Sequence, residues 1–294
     1  MKLLYVSTKV ETMTRVQSPL NRFFVSSEFS VHYRKTKGLD WRNSTTSGYA
    51  LLSVLSGTVD CSTAEERFVL EPGESRIIEP NVVLSATGKQ VEFLYFSISP
   101  SLVIQHAISM HLVPPKSMVS FSTDPIRANS RLQSLLKSFV AELVAENAGK
   151  EIFMRALIQQ LVVQLLREFA RPRFSDELEL SRVGLIDRRI RKSVELMHTQ
   201  LDQELSLKSL AAASYLSTFH FARLFKKITG STPHNYLAGI RTNRAQLLLA
   251  ETDLSITEIG ARVGYLSASH FTKAFRLATG TTPREFRKAL VKRD

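Results

Sequence analysis

A single cysteine stands in 294 residues. Cys61 therefore has no intrachain disulfide partner, which excludes the disulfide-stapled scaffolds of secreted proteins. No apolar run approaches the ~20 residues that span a bilayer, so no membrane partner is expected. Met1-Lys2-Leu3-Leu4-Tyr5-Val6-Ser7 starts like a signal peptide, but the polar stretch from Thr8 to Arg15 cuts it short of a secretory hydrophobic segment. A cytoplasmic location is the expectation. Histidine is scarce as well. The first hundred residues hold only His32, with no partner at ligand spacing, so neither metal nor cofactor is expected. Glycine-rich phosphate loops and nucleophile elbows are absent, which argues against an enzyme.

What is present is basic charge, unevenly placed. The net charge is +12. Residues 181–294 hold 19 Lys/Arg against 9 Asp/Glu, whereas residues 1–180 hold 20 against 18. A basic domain points to nucleic acid or an anionic surface, with a solubilising basic face as the bland alternative.

The basic part repeats itself. His220-Phe221-Ala222-Arg223-Leu224-Phe225 is followed by Thr229-Gly230-Ser231-Thr232-Pro233. Fifty positions on, His270-Phe271-Thr272-Lys273-Ala274-Phe275 is followed by Thr279-Gly280-Thr281-Thr282-Pro283, and Tyr236 answers to Phe286. One supersecondary unit has been built twice. In the first copy a supporting helix, Asp187 to Gln203, precedes a short helix after Ser206 with Leu207, Leu210 and Ala211 inward. After a turn, Ser217 caps a further helix whose core face is Phe221, Leu224, Phe225 and Ile228. The second copy has Ile256 and Ile259 inward, a turn at Val263-Gly264-Tyr265, and a core face of Phe271, Ala274, Phe275 and Ala278. Between them Thr232 caps a helix opened by Pro233 that runs to Thr252, and Thr282 is the matching cap. Each unit is helix, turn, helix, with a polar or basic stripe left outside, which is how a major-groove reader is built.

Residues 1 to about 100 read as β-rich: Tyr49–Leu55, Arg67–Leu70, Ser75–Ile78, Val82–Ala86 and Val91–Ile98 are separated by Gly57, Glu71-Pro72-Gly73-Glu74, Glu79-Pro80-Asn81 and Thr87-Gly88-Lys89. A sandwich or small barrel is expected. Asp124-Pro125 opens a helix with a Leu132, Leu135, Leu136, Phe139, Val140, Leu143 stripe. A second helix, Glu151 to Phe169, is apolar on nearly every side. It is either sandwiched against the sheet or part of a subunit interface, so a homodimer through residues 125–170 is one expectation. Pro172 stops it, and residues 171–187 read as a polar linker.

The residues from Leu210-Ala211 through Ser217, His220 to Lys226, Gly230, Ile259, Gly264-Tyr265, Ser269-His270-Phe271, Phe275, Gly280 and Pro283 resemble the AraC/XylS family of transcription regulators. The resemblance covers residues 188–289. It implies two helix-turn-helix units on asymmetric double-stranded DNA half-sites, with RNA polymerase as a further partner. The N-terminal half, on its strand pattern and Leu70-Glu71-Pro72-Gly73, resembles that family's cupin-like effector-binding and dimerisation domain. The expected architecture is thus α+β. A cupin-like β-barrel with two helices (1–170) precedes a linker (171–187), then an all-α domain of two helix-turn-helix units joined by a linking helix (188–289).

Within that frame Arg223 is the expected base reader, since arginine bonds guanine O6 and N7 together. Phe219 and Ala222 can meet thymine methyls, with core packing the alternative for Phe219. Ser269, Thr272, Lys273 and Arg276 are the second unit's candidates. Lys226, Lys227 and Arg276 suit phosphate, which positions without reading sequence. His220 and His270 recur through the duplication, as flank packing or phosphate contacts rather than a switch. Arg241 and Arg244 on the linking helix face either DNA or solvent. Phe24, Tyr33, Trp41, Tyr95 and Phe96 are either an effector pocket or plain core. The function expected is a sequence-specific transcription regulator, an activator answering to a small-molecule effector. An architectural, effector-independent DNA binder is the alternative.

Overall fold

The computed structural model describes residues 20–45, 48–63, 66–80, 82–113, 119–127, 129–172, 188–229 and 231–291. The signal-like opening and residues 173–187 of the expected linker lie outside them. The architecture is α+β. An antiparallel sheet is built from β1 (Leu20–Val25), β2 (Phe29–Thr45), β3 (Tyr49–Ser56), β4 (Val59–Ser62), β5 (Arg67–Leu70), β6 (Ser75–Ile78) and β7 (Val83–Ile98). Its order is β1-β2-β7-β3-β6, with β4 pairing β5 and β7. Among the described residues this path does not return on itself, so the sheet is open where a barrel would be closed.

Alternation along β7 explains the sheet's two cores. Phe93 and Tyr95 join Trp41, Leu52, Val54 and Val59 on one face. Leu94 and Phe96 join Val31, Tyr33 and Leu51 on the other, beneath α1 (Pro100–Ser109), α2 (Ser130–Val144) and α3 (Lys150–Phe169). Both faces are covered, which is why Val91–Ile98 reads as nearly continuous apolar sequence. The five aromatics considered as one pocket are instead divided by the sheet. Phe24, Tyr33 and Phe96 pack beneath the helices, while Trp41 and Tyr95 lie on the opposite face. Cys61 is buried, and burial pushes its thiol up to about 12, so it is inert packing.

Some boundaries differ from expectation. Thr87-Gly88-Lys89 is not a turn, because β7 runs straight through it. A Cβ on Gly88 would lie 2.7 Å from the Thr58 carbonyl oxygen, so this glycine serves close backbone approach. The helix expected at Asp124-Pro125 begins at Ser130, where the Asn129 side chain accepts the Leu132 N–H. Pro172 lies not in a linker but in β9 (Ala170–Pro172), paired with β8 (Val119–Phe121). α3 buries Met154, Leu157, Ile158, Leu161, Val162, Leu165 and Leu166, but leaves Ile152 76% exposed.

The C-terminal helices are α4 (Arg188–Thr199), α5 (Leu207–Ala213), α6 (Thr218–Thr229), α7 (Pro233–Glu251), α8 (Ile256–Arg262), α9 (Ala268–Thr279) and α10 (Pro283–Ala289). They form two small cores. Ile190, Met197, Leu210, Ala211, Phe221 and Phe225 fill the first, and Ile259, Val263, Phe271, Phe275 and Phe286 the second. Leu207, expected inward, is 44% exposed, and the Ile228 side chain lies outside the described ones. The linking helix α7 serves both cores, with Leu237 and Ile240 in one and Ala245, Leu248 and Leu249 in the other. The duplication extends to its fastenings. Tyr236 meets Phe225 edge-on at 5.4 Å, and Phe286 meets Phe275 the same way at 5.3 Å.

Among the described residues only the second core reaches the sheet. Phe23 and Val25 of β1 belong to it, while Phe24 between them turns to the helix-covered core. Phe23 stacks on Phe286 with centroids 4.5 Å apart, and the Val291 N–H donates to the Phe23 carbonyl. Trp41 Nε1 donates to the Ala278 carbonyl at 2.6 Å. The buried Arg34 guanidinium donates to the carbonyls of Thr279 and Gly280, both at 3.3 Å. These are the last carbonyls of α9, where a helix has unmatched acceptors and its dipole favours positive charge.

Candidate nucleic-acid interface

Each unit aims one polar stripe at solvent because the opposite stripe of the same helix is consumed by the core. On α6, Phe221 and Phe225 are fully buried, while Phe219 is 77% exposed and Arg223 and Lys226 are exposed. Phe219 is therefore a surface residue, not core. Ala222 is half-buried beside them, and the Lys227 side chain lies outside the described ones. On α9, Phe271 and Phe275 are buried, Ser269, Lys273 and Arg276 are exposed, and Thr272 is half-buried. The expected residues of each unit thus share one face. Among the described residues no ion pair neutralises Arg223, Lys226 or Lys273, so the two ridges present unspent positive charge.

The leading ends of both helices are capped alike. Ser217 Oγ accepts the His220 N–H at 3.4 Å, and Ser267 Oγ accepts the His270 N–H at 3.2 Å. Both histidines stay exposed, and His270 rests edge-on against Tyr265 at 5.3 Å. At the trailing ends Thr229 and Thr279 hydroxyls donate to the carbonyls of Phe225 and Phe275. Thr232 and Thr282 then cap α7 and α10, as expected, and Thr282 with Glu285 forms a capping box. The hydrogen bonds from Thr282 hold the Glu285 carboxyl below its usual range.

One structural residue was left unresolved by the sequence. Arg241 is half-buried, and its side chain is held by backbone carbonyls. Its Nε donates to the Leu201 carbonyl at 2.9 Å and its Nη2 to the Gln203 carbonyl at 2.7 Å, with Tyr265 5.4 Å beneath the guanidinium. It ties the chain segment after α4 to α7 and to the turn of the second unit, fixing one reader against the other. Arg244 is exposed. The 19-residue α7 is about 28 Å long at 1.5 Å per residue.

Comparison with known proteins agrees with this geometry. A helix-turn-helix domain family matches residues 210–289. The lactose operon transcription activator of Staphylococcus xylosus is 25% identical over 209 residues, covering 69% of this chain and 67% of that protein. The HTH-type transcriptional regulator MtrA of Neisseria gonorrhoeae is 29% identical over 139 residues, so the chain spans only 46% of its length. Among solved structures, ToxT of Vibrio cholerae has the same fold. Its apo form superposes with a TM-score of 0.60 at 11% identity, covering 91% of this chain and 99% of ToxT. Its unsaturated-fatty-acid-bound form gives 0.58 at 11% identity, covering 92% and 99%.

Proposed function

The chain belongs to the AraC/XylS family of transcription regulators, and on that premise we propose that it reads an asymmetric DNA site with both units at once. The observation that carries this reading is the pair of exposed basic ridges, Arg223 and Lys226 on α6 and Lys273 and Arg276 on α9, joined by one continuous helix. Arg223 pairs with guanine. Phe219 and Ala222 lie against thymine methyls. Ser269, Thr272 and Lys273 take the second half-site, and Lys226, Lys227 and Arg276 hold phosphates. A separation of α6 and α9 below the groove repeat bends the DNA toward the protein on docking, at a cost of a few kcal/mol repaid by the second set of contacts.

The named lactose operon relative is an activator, which supports activation with RNA polymerase as partner. The fatty acid on ToxT supports a small-molecule effector on the N-terminal domain, residues 1–170. The exposed Ile152 and Phe153 at the start of α3 and Val144 at the end of α2 support a homodimer contact there. A cytoplasmic location goes with this role. We assign residues 188–289 as the DNA-binding domain.

Two substitutions test the DNA reading in a shift assay with the full chain. Arg223→Ala costs about 1–3 kcal/mol on the selected site and relaxes preference at one base pair. Lys226→Ala weakens selected and random duplexes alike and lowers the salt slope by about one. Equal effects of the two variants on both kinds of duplex would reject the assignment of that face.

A further inference from the structure

The two units are not perfect copies, and the departure is a single residue. Through the first helix and into the turn, equivalent positions lie 49 apart. Ser206 and Ser255 cap, Leu210 and Ile259 are buried, and Ala211 and Gly260 pack beside them. Tyr215 and Gly264 are both left-handed, with φ of 52° and 82°. Leu216 and Tyr265 both fold inward, their N–H groups donating to Ala211 and Gly260 at 3.0 and 2.9 Å. From the second cap onward the offset is 50: Ser217 and Ser267, Phe221 and Phe271, Phe225 and Phe275. The extra residue in the second turn is Leu266. It has no counterpart in the first unit.

Leu266 is 91% exposed, more than any other large apolar side chain described. An isolated exposed leucine is ordinary on a protein surface, so exposure alone says little. Its position says more. It immediately precedes the cap Ser267, at the end of α9 that enters a major groove in this motif, and three residues ahead of Ser269, where the polar and basic stripe begins. The first unit also carries apolar groups at that end, but at different positions: Tyr215, 79% exposed, and Phe219. The place of Tyr215 is taken in the second unit by Gly264, which offers no side chain. A Cβ on Gly264 would lie 2.3 Å from the Leu201 carbonyl oxygen, so the second unit has no room to display a group there. It displays Leu266 instead.

We propose that Leu266 is a specificity-determining residue of the second unit, contacting the C5-methyl group of a thymine in its half-site. This rests on the DNA reading given above. The major groove offers an aliphatic side chain one apolar partner, the thymine methyl. The one-residue insertion thereby makes the two half-sites differ, since the apolar contact sits at a different place on each reader.

The test is base selection from random duplexes with the full chain, followed by thymine-to-uracil replacement along the selected second half-site. Uracil keeps every hydrogen-bonding group of thymine and lacks only the methyl. One replacement is expected to weaken the wild-type chain by about fourfold, the worth of one buried methyl group. Leu266→Ala and Leu266→Ser are expected to be insensitive to that same replacement, to lose thymine preference at that position alone, and to melt at the wild-type temperature. Wild-type binding unaffected by uracil throughout the second half-site overturns the proposal. So does a Leu266→Ser chain that selects DNA like wild type but fails in transcription with purified RNA polymerase, which would make Leu266 a protein contact. A wild-type chain that selects no sequence overturns the DNA reading itself, and the first selection reveals this before any variant is made.

Discussion

Phe286→Ala is expected to lower the free energy of unfolding by about 3–5 kcal/mol, the usual cost of removing a fully buried phenylalanine. Phe286 is 0% exposed. Its ring stacks on Phe23 at 4.5 Å, meets Phe275 edge-on at 5.3 Å and faces His32 at 5.6 Å. The void left behind would open onto β1, α9 and α10, and β1 is held in register with β2. Loss of this ring should therefore loosen the joint between sheet and second unit as well as the unit itself. Urea unfolding followed by circular dichroism gives the number. Tyr236→Ala, at the matching position of the first unit, removes a ring that packs on Phe225 and His198 and serves as the comparison. A loss near 1 kcal/mol for Phe286→Ala, or one no larger than that of Tyr236→Ala, would contradict the packing described.

Acid should destabilise the protein through His32. Burial, with the Arg34 charge adding to it, lowers the His32 pKa to about 3. Its Nε2 has no hydrogen-bond partner among the described residues, and the ring lies among Phe23, Tyr95 and Phe286. The folded chain thus keeps this imidazole neutral where the unfolded chain, titrating near 6.5, takes a proton. Stability from this group is intact above pH 6.5. As pH falls below 6.5 it is lost at about 1.4 kcal/mol per pH unit until the folded chain also protonates. Between pH 6.5 and 4.5 the loss is about 2 kcal/mol. His32→Leu removes the group while leaving carboxylates and other histidines to titrate as before. Urea midpoints of both chains across that range isolate the difference, and parallel slopes would remove His32 as the cause.

The repeated half was legible because its signals are local. Caps at Ser217, Thr232 and Thr282, the buried Phe221/Phe225 and Phe271/Phe275 pairs, and the outward Arg223 and Lys273 all lie within one helix or one turn of the residues that announce them. Phe219 was ambiguous in sequence, since an aromatic on a helix suits either core or groove, and its exposure decides for the surface. Strands β5 and β6 were legible from the turns around them. The long strands were not, since β7 passes through Gly88 where the local sequence reads as a turn. The fastening of sheet to second unit was illegible in principle. Arg34 and Trp41 meet their acceptors across 237 to 246 positions of chain, and nothing near either residue advertises a partner. Arg241 was undecided for the same reason.

The attachment of β1 to one unit only has a practical side. Cut the chain ahead of α4 and the first unit keeps every described residue of its core, all of them from the helical half. The second emerges with one flank of Phe286 bare and the trailing carbonyls of α9 relieved of Arg34 and Trp41. Such a fragment carries a sticky aromatic scar at one end, and its solubility would say as much about that scar as about its grip on DNA.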